Sequence, residues 1–200
     1  MVESHCIYNN LVTQQTSYAV NVLLPNFLNI IQPKNIVEIG TASGGLTHVL
    51  SDLCPYSHII TLETKDFHRY EFKENVKSII CDSNSDELIN NIMIPFIQQS
   101  GTTIVFCDGG NKVIDFNNYA PLIKNSDYIC VHDYCKTKEI YKNEYYGKIW
   151  NYCRLVDDDI IGICDEYGLI NVHDEMNIGM WGVKQKKSNI VVNKKIKRLI

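Results

Sequence analysis

The chain has 200 residues, which is enough for one domain with a sizeable core. Its hydrophobic content of 45% and charged content of 21% are typical of a globular protein, and no apolar run is long enough to span a bilayer. The formal net charge is −4, but the first 183 residues carry 23 acidic and only 12 basic residues. An acidic body argues against nucleic acid as the main partner.

The N-terminus lacks the basic and then apolar pattern of a signal peptide, so we expect a cytoplasmic protein that does not enter a membrane. Eight cysteines occur without any C-x-x-C motif, which favours reduced thiols over zinc ligands or disulfides. Seven Lys or Arg residues and no acid follow position 183. We therefore divide the chain into one domain, 1–184, and a basic C-terminal tail, 185–200. A homo-oligomer is left open.

Apolar runs with different periods predict strands that alternate with helices along the chain. The first predicted element is a helix at 15–31, which has apolar residues at helical spacing and stops before Pro33. The other predicted helices are at 45–53, 65–75, 85–99, 113–123 and 157–167. The predicted strands are at 35–39, 58–62, 77–81, 102–107, 128–131, 169–172 and 179–184. This alternation predicts a doubly wound, mostly parallel sheet with helices on both faces.

A glycine-rich turn follows the first strand, where residues 36–45 read IVEIGTASGG. Gly40 ends the strand, and Gly44 and Gly45 precede the next helix. Glycines let the backbone turn tightly and approach a ligand, and the helix N-terminus directs free N–H groups at the turn. The spacing is not the G-x-G-x-x-G of dinucleotide-binding proteins, which disfavours a nicotinamide-dependent oxidoreductase. An ordinary strand–turn–helix junction is the alternative interpretation of the turn by itself.

Four carboxylates each follow a predicted parallel strand by one or two residues: Glu63, Asp82, Asp108 and Asp133. The carboxyl ends of the strands form the ligand crevice of an open parallel sheet. Glu63 lies 23 residues after Gly40. In nucleotide-binding folds an acid roughly 20 residues after the glycine turn accepts hydrogen bonds from the ribose hydroxyls, and Glu63 is close to that spacing. Asp82 is placed either to accept from an adenine amino group or to cap the next helix.

The glycine turn resembles motif I of the class I S-adenosylmethionine (SAM) dependent methyltransferases, where an acid two residues before the first glycine is typical. Two further segments, 104–112 (IVFCDGGNK) and 127–134 (DYICVHDY), are similar to the cephalosporin hydroxylase-like or rhamnosyl O-methyltransferase-like branch. The resemblance extends from about residue 14 to residue 184. It implies a three-layer Rossmann-like fold with an antiparallel C-terminal strand.

The resemblance also implies SAM as the cofactor and a hydroxyl of a small molecule or sugar as the methyl acceptor. The residues that would bind the cofactor are Glu38, Gly40, Thr41, Gly44, Gly45, Glu63, Asp82 and Asp108. The residues that would face the acceptor and act in catalysis are Asp108, His132 and Asp133. An aromatic stretch at 141–152, which includes Trp150, would either wall the acceptor pocket or pack as a cover over the core.

In that branch, acids after the fourth and fifth strands surround a divalent metal beside the SAM methyl group. Asp108, His132 and Asp133 would supply three ligands, and their carboxylate oxygens favour magnesium or manganese over zinc. The branch often has Asp-Gly-Asp-His after the fourth strand, but here Gly110 and Asn111 follow Asp108 and Gly109. Three alternatives stay open: a metal, His132 as the general base without a metal, or a catalytically inactive binding or scaffold protein.

Overall fold

The computed structural model describes residues 5–65, 71–148 and 153–187. It opens on an antiparallel hairpin of β1 (His5–Tyr8) and β2 (Leu11–Thr16), which the sequence did not predict. The helix predicted from residue 15 is therefore wrong at its start. Thr16 Oγ1 accepts a hydrogen bond from the N–H of Ala19 in the first turn of a helical stretch, which runs through a π-helical segment, Ala19–Leu23, into α1 (Leu24–Ile31).

Seven strands form the central sheet, and a separate short pair lies beyond β7. In chain order the strands are β3 (Asn35–Ile39), β4 (His58–Glu63), β5 (Val76–Ile80), β6 (Thr103–Cys107), β7 (Tyr128–Val131), the short pair β8 (Tyr134–Cys135) and β9 (Leu155–Val156), then β10 (Leu169–Asn171) and β11 (Gly182–Lys186). The order in the sheet is β10-β11-β7-β6-β3-β4-β5. Strands β3 to β7 pair in parallel, whereas β11 is antiparallel to both of its neighbours.

Helices cover both faces of this sheet and bury two separate apolar cores. The helices after α1 are α2 (Gly45–Leu53), α3 (Asp86–Leu88), α4 (Ile94–Ile97), α5 (Lys112–Tyr119), α6 (Lys138–Ile140) and α7 (Asp157–Tyr167). Helices α1 and α2 pack on one face, and α4, α5 and α7 pack on the other. The predicted three-layer, doubly wound and mostly parallel fold with an antiparallel C-terminal strand is therefore confirmed.

The helix predicted at 85–99 forms in three parts, because a π-helical segment, Ile89–Met93, joins α3 to α4. Pro95 lies in the first turn of α4 and has no N–H to donate. A wider turn just before a proline relieves the clash of its ring with the carbonyl four residues earlier, so the chain stays helical here.

Three other predictions differ from the structure or reach beyond it. Residues 71–75 are not helical, and 66–70 lie outside the described residues. A 3-10 helix, Asp174–Gly179, precedes β11, so the last strand begins three residues late and ends at Lys186 inside the predicted tail. Residues 188–200 of that tail are also outside the described part. Within the described residues, no helix is long and apolar enough to cross a membrane, and all eight cysteines are free thiols.

Candidate active site

A cleft of about 250 Å³ opens at the carboxyl ends of β3, β4, β6 and β7. The residues predicted for the site that line it are Gly40, Thr41, Gly45, Glu63, Asp108, His132 and Asp133. These residues are far apart in the sequence, and the parallel pairing of the strands brings them to one edge of the sheet.

The glycine turn is held too tightly for other residues at two positions. Gly40 has φ +97°, and a Cβ there would lie 2.5 Å from the carbonyl oxygen of Asp108. A Cβ on Gly45 would lie 2.3 Å from the carbonyl oxygen of Val12 in β2. The turn therefore packs against the end of β6 on one side and against the N-terminal hairpin on the other, and the hairpin forms part of the cleft wall.

Glu38 lies beneath the cleft and is not among its lining residues. Its Oε2 accepts hydrogen bonds from Thr47 Oγ1 at 2.5 Å and from Thr61 Oγ1 at 2.6 Å. Burial raises the pKa of Glu38 to about 8, although the two threonine hydrogen bonds oppose this shift. Thr61 Oγ1 also lies 2.6 Å from Thr41 Oγ1, and Thr41 lines the cleft. Glu38 is therefore connected to the cleft only indirectly, through the hydrogen bonds of Thr61 and Thr41.

Glu63 ends β4 beside the glycine turn. Its Oε2 accepts a hydrogen bond from the N–H of Ala42 at 2.9 Å, and its Oε1 accepts from the N–H of Thr64 at 2.8 Å. These two bonds fix a carboxylate in the cleft wall.

Asp82 and Gly44 are not among the residues that line the cleft. Asp82 is exposed, and its Oδ1 accepts from the N–H of Asn84 at 2.9 Å in a local turn. The cap of α3 is instead Ser85, whose Oγ accepts from the N–H of Leu88. A Cβ on Gly44 would meet the ring of Phe72 at 3.0 Å, so this glycine packs against an aromatic side chain.

Asp108, His132 and Asp133 form a polar centre on the other side of the cleft, in which His132 and Asp133 are buried and Asp108 is partly buried. His132 Nδ1 lies 3.0 Å from Asp108 Oδ1 and 3.6 Å from Asp133 Oδ1. Among the described residues, one ligand atom from each of these three groups lies within 4.8 Å of the others, close enough to hold a metal ion. Asp133 has φ +56°, a conformation that is uncommon outside glycine and is often found at functional sites.

A lysine that the sequence reasoning missed lies in the same centre. Lys112 Nζ is 3.2 Å from Asp108 Oδ1 and 3.1 Å from Asp133 Oδ2, and it donates to the carbonyl oxygen of Gly109 at 3.0 Å. Burial alone would lower the pKa of Lys112, but the carboxylates of Asp108 and Asp133 outweigh this and raise it. Burial likewise opposes ionisation of Asp108, yet His132 and Lys112 bring its pKa below the ordinary value. The centre therefore holds charged groups in close contact.

Gln15 is a second residue that sequence reasoning did not assign to the site. Its Nε2 donates to Asp108 Oδ2 at 3.0 Å, and its Oε1 accepts from the indole N–H of Trp181 at 2.9 Å. The rings of Trp181 and His132 are 4.6 Å apart between centroids. The N-terminal hairpin and the segment before β11 thus support the two residues of the Asp108–His132 pair.

Arg154 lines both the cleft and a second cavity of about 410 Å³. Its backbone N–H donates to the carbonyl oxygen of Asp133 at 2.8 Å, beside the pairing of β8 with β9. Tyr141, which belongs to the predicted aromatic stretch, lines this second cavity, and its place in an acceptor pocket stays a prediction. Trp150 and Tyr152, which belong to the same prediction, lie outside the described residues.

No protein-family model and no curated protein matches the chain. Solved structures do match. CmcI solved with magnesium and SAM has a TM-score of 0.68 and 15% identity, and the match covers 92% of this chain and 77% of that one. A putative caffeoyl-CoA O-methyltransferase from Staphylococcus aureus has a TM-score of 0.58 and 16% identity, with 85% and 83% covered.

The methyltransferase MycE, solved with magnesium, S-adenosylhomocysteine (SAH) and mycinamycin VI, has a TM-score of 0.54 and 14% identity. This match covers 84% of our chain but only 50% of MycE. Identities this low show the fold alone. The chain therefore has the Rossmann-like fold of class I methyltransferases, and its activity must be argued from its own residues.

Proposed function

We propose that the protein is a SAM-dependent methyltransferase that methylates a hydroxyl group of a small molecule or sugar. The observation that carries this proposal is the single cleft that combines a glycine turn, the fixed carboxylate of Glu63 and the hydrogen-bonded pair of Asp108 and His132. The fold shared with structures that contain SAM or SAH supports the same cofactor.

In this proposal the methionine part of SAM binds at the glycine turn, where Gly40, Thr41 and Gly45 line the cleft. The N-terminus of α2 favours a carboxylate there through its free N–H groups. Glu63 would accept hydrogen bonds from the ribose hydroxyls. Glu38 and Gly44 support the turn from beneath and beside it, and Asp82 remains a prediction for the adenine amino group.

Methyl transfer is an in-line displacement in which the acceptor oxygen bonds to the methyl carbon as the carbon–sulfur bond breaks, so that SAH leaves. The acceptor hydroxyl must also lose its proton, and we assign that proton to His132. When Nδ1–H donates to Asp108, the neutral ring carries its lone pair on Nε2. A carboxylate that orients an imidazole in this way is a common arrangement for a general base.

A metal does not fit this centre in the arrangement observed. The distances among Asp108, His132 and Asp133 would allow one, but the Lys112 ammonium already contacts a carboxylate oxygen of each aspartate. The third group is an imidazole nitrogen, whereas magnesium prefers oxygen. The proposed mechanism therefore uses no metal.

Isothermal titration calorimetry with SAM and SAH tests the cofactor site. We expect binding by the wild type and at least about tenfold weaker binding by Glu63→Ala, because hydrogen bonds to a charged group contribute about 1.5–3 kcal/mol each. Glu74→Ala removes an exposed carboxylate outside the cleft and should bind like the wild type. Absence of wild-type binding, or equal affinity in Glu63→Ala, would refute the assignment.

Transfer of a labelled methyl group to a panel of hydroxyl compounds tests the reaction itself. Label in an acceptor supports the methyltransferase. Binding of SAM without transfer to any acceptor would instead favour the inactive scaffold protein.

A further inference from the structure

Lys112 is in an unfavourable place for a lysine unless acids compensate it. It is the first residue of α5, where the helix dipole is positive and acidic side chains are preferred. Its side chain is only 7% exposed, and lysines are rarely buried without a partner. The position is therefore explained by what surrounds the ammonium group.

Three oxygens surround Lys112 Nζ at 3.0 to 3.2 Å: the carbonyl of Gly109, Asp133 Oδ2 and Asp108 Oδ1. A lysine ammonium has three donors, so these contacts account for all of them. Two of the three oxygens belong to the residues that could otherwise hold a metal ion. A magnesium ion would need such oxygens at about 2.0–2.1 Å, in space that the ammonium now shares.

We propose that the Lys112 ammonium takes the place of a divalent cation between Asp108 and Asp133. It neutralises one of the two carboxylate charges and leaves one net negative charge for the sulfonium of the cofactor. Because its donors are used within the protein, Lys112 is a positioning residue: it holds Asp108, which in turn orients His132. The catalytic part of this inference rests on the proposed function, whereas the exclusion of metal does not.

Titration with Mn²⁺, followed by the loss of the free-ion signal in electron paramagnetic resonance, tests the exclusion of metal directly. We expect the wild type to show no Mn²⁺ binding that depends on Asp133, so the titration of Asp133→Asn should match that of the wild type. Lys112→Met should bind Mn²⁺ at least about tenfold more tightly than the wild type, a difference of about 1.4 kcal/mol. Asp133→Asn in the Lys112→Met background should abolish that binding.

Two controls separate the charge of Lys112 from its packing. Lys112→Arg keeps a cation and should bind Mn²⁺ no better than the wild type. Lys73→Met removes an exposed lysine paired with Asp52 outside the cleft and should also behave like the wild type. Wild-type binding that Asp133→Asn abolishes would overturn the proposal, as would a folded Lys112→Met protein that gains no binding. If Lys112→Met fails to fold, the comparison of Mn²⁺ binding by the wild type and by Asp133→Asn still tests whether the centre excludes metal.

Methyl transfer gives a second readout. A chelator should leave wild-type turnover unchanged, whereas magnesium should restore part of the turnover lost in Lys112→Met. Chelator-sensitive wild-type turnover would overturn the catalytic role. Failure of the proposed function would appear separately, as absent SAM binding with the Mn²⁺ results unchanged.

Discussion

The buried acid Glu38 makes the stability of the protein depend on pH in a defined direction. Its pKa is about 8 in the folded protein, against an ordinary value of 4.5, because burial disfavours the charged form. Between these two values the folded state holds a proton that the unfolded state releases. The stabilisation is therefore complete below pH 4.5 and is lost as the pH rises through about 8.

The size of this effect follows from the shift. Each pH unit in that window costs about 1.36 kcal/mol of unfolding free energy, so a rise from about pH 6 to pH 9 costs roughly 3 kcal/mol. Glu38→Gln keeps an oxygen for the hydroxyls of Thr47 and Thr61 but cannot ionise. Between about pH 6 and pH 9 the unfolding free energy of Glu38→Gln should fall by roughly 3 kcal/mol less than that of the wild type.

Urea unfolding of both proteins at the two pH values measures the difference. Glu74→Gln, which changes an exposed carboxylate, is the matched control and should follow the wild type. Parallel pH dependence in the wild type and Glu38→Gln would show that Glu38 is ionised in the folded protein, and the reasoning from burial would be wrong.

Two further predictions concern the polar centre. Gln15→Ala leaves the buried indole N–H of Trp181 without its acceptor and should lower the free energy of unfolding in urea by about 1–3 kcal/mol. Gln99→Ala, which changes an exposed glutamine, is the control and should lower it little. Equal losses in the two variants would contradict the role of Gln15. His132→Asn should reduce kcat by about 10²–10⁴-fold with SAM affinity nearly unchanged, and a loss of less than about tenfold would remove His132 as the base.

The strands of the sheet could be predicted because both faces of a parallel sheet are covered. Such strands are mostly apolar, as at Asn35–Ile39 and Thr103–Cys107, where every residue is buried. A polar residue or glycine follows each apolar run. These residues mark the carboxyl ends of the parallel strands and so the edge of the sheet where the cleft lies. That is why Glu63, Asp108 and Asp133 could be assigned to one cleft from the sequence.

The N-terminal hairpin could not be predicted, because its stability comes from contacts with distant residues. Strand β2 reads LVTQQT, a short polar segment that continues without a break into a helical pattern. Its packing depends on Gly45, which lets the carbonyl of Val12 approach α2, and on Gln15, which pairs with Trp181. None of these contacts leaves a periodic signal within the hairpin itself.

Lys112 did leave a signal, although a weak one. A lysine directly after the helix cap Asn111 opposes the dipole of α5, and such a residue needs negative partners nearby. Asp108 lies four residues earlier, but the second partner, Asp133, follows a different strand and comes close only in the folded sheet. The sequence could therefore indicate an ion pair, whereas the contact with both candidate metal ligands required the fold.

A missing Asp-His motif after Asp108 need not mean an inactive centre. Gly110 and Asn111 stand where the pattern that the sequence resembles often has a second acid and a histidine, so less negative charge is present to favour a metal. Lys112 follows them at once and supplies a positive charge between Asp108 and Asp133. Fewer acidic ligands and a buried cation change the electrostatics in the same direction, since the first weakens the attraction of a divalent ion and the second repels it. A centre that had merely decayed would give no reason for a lysine to be buried there.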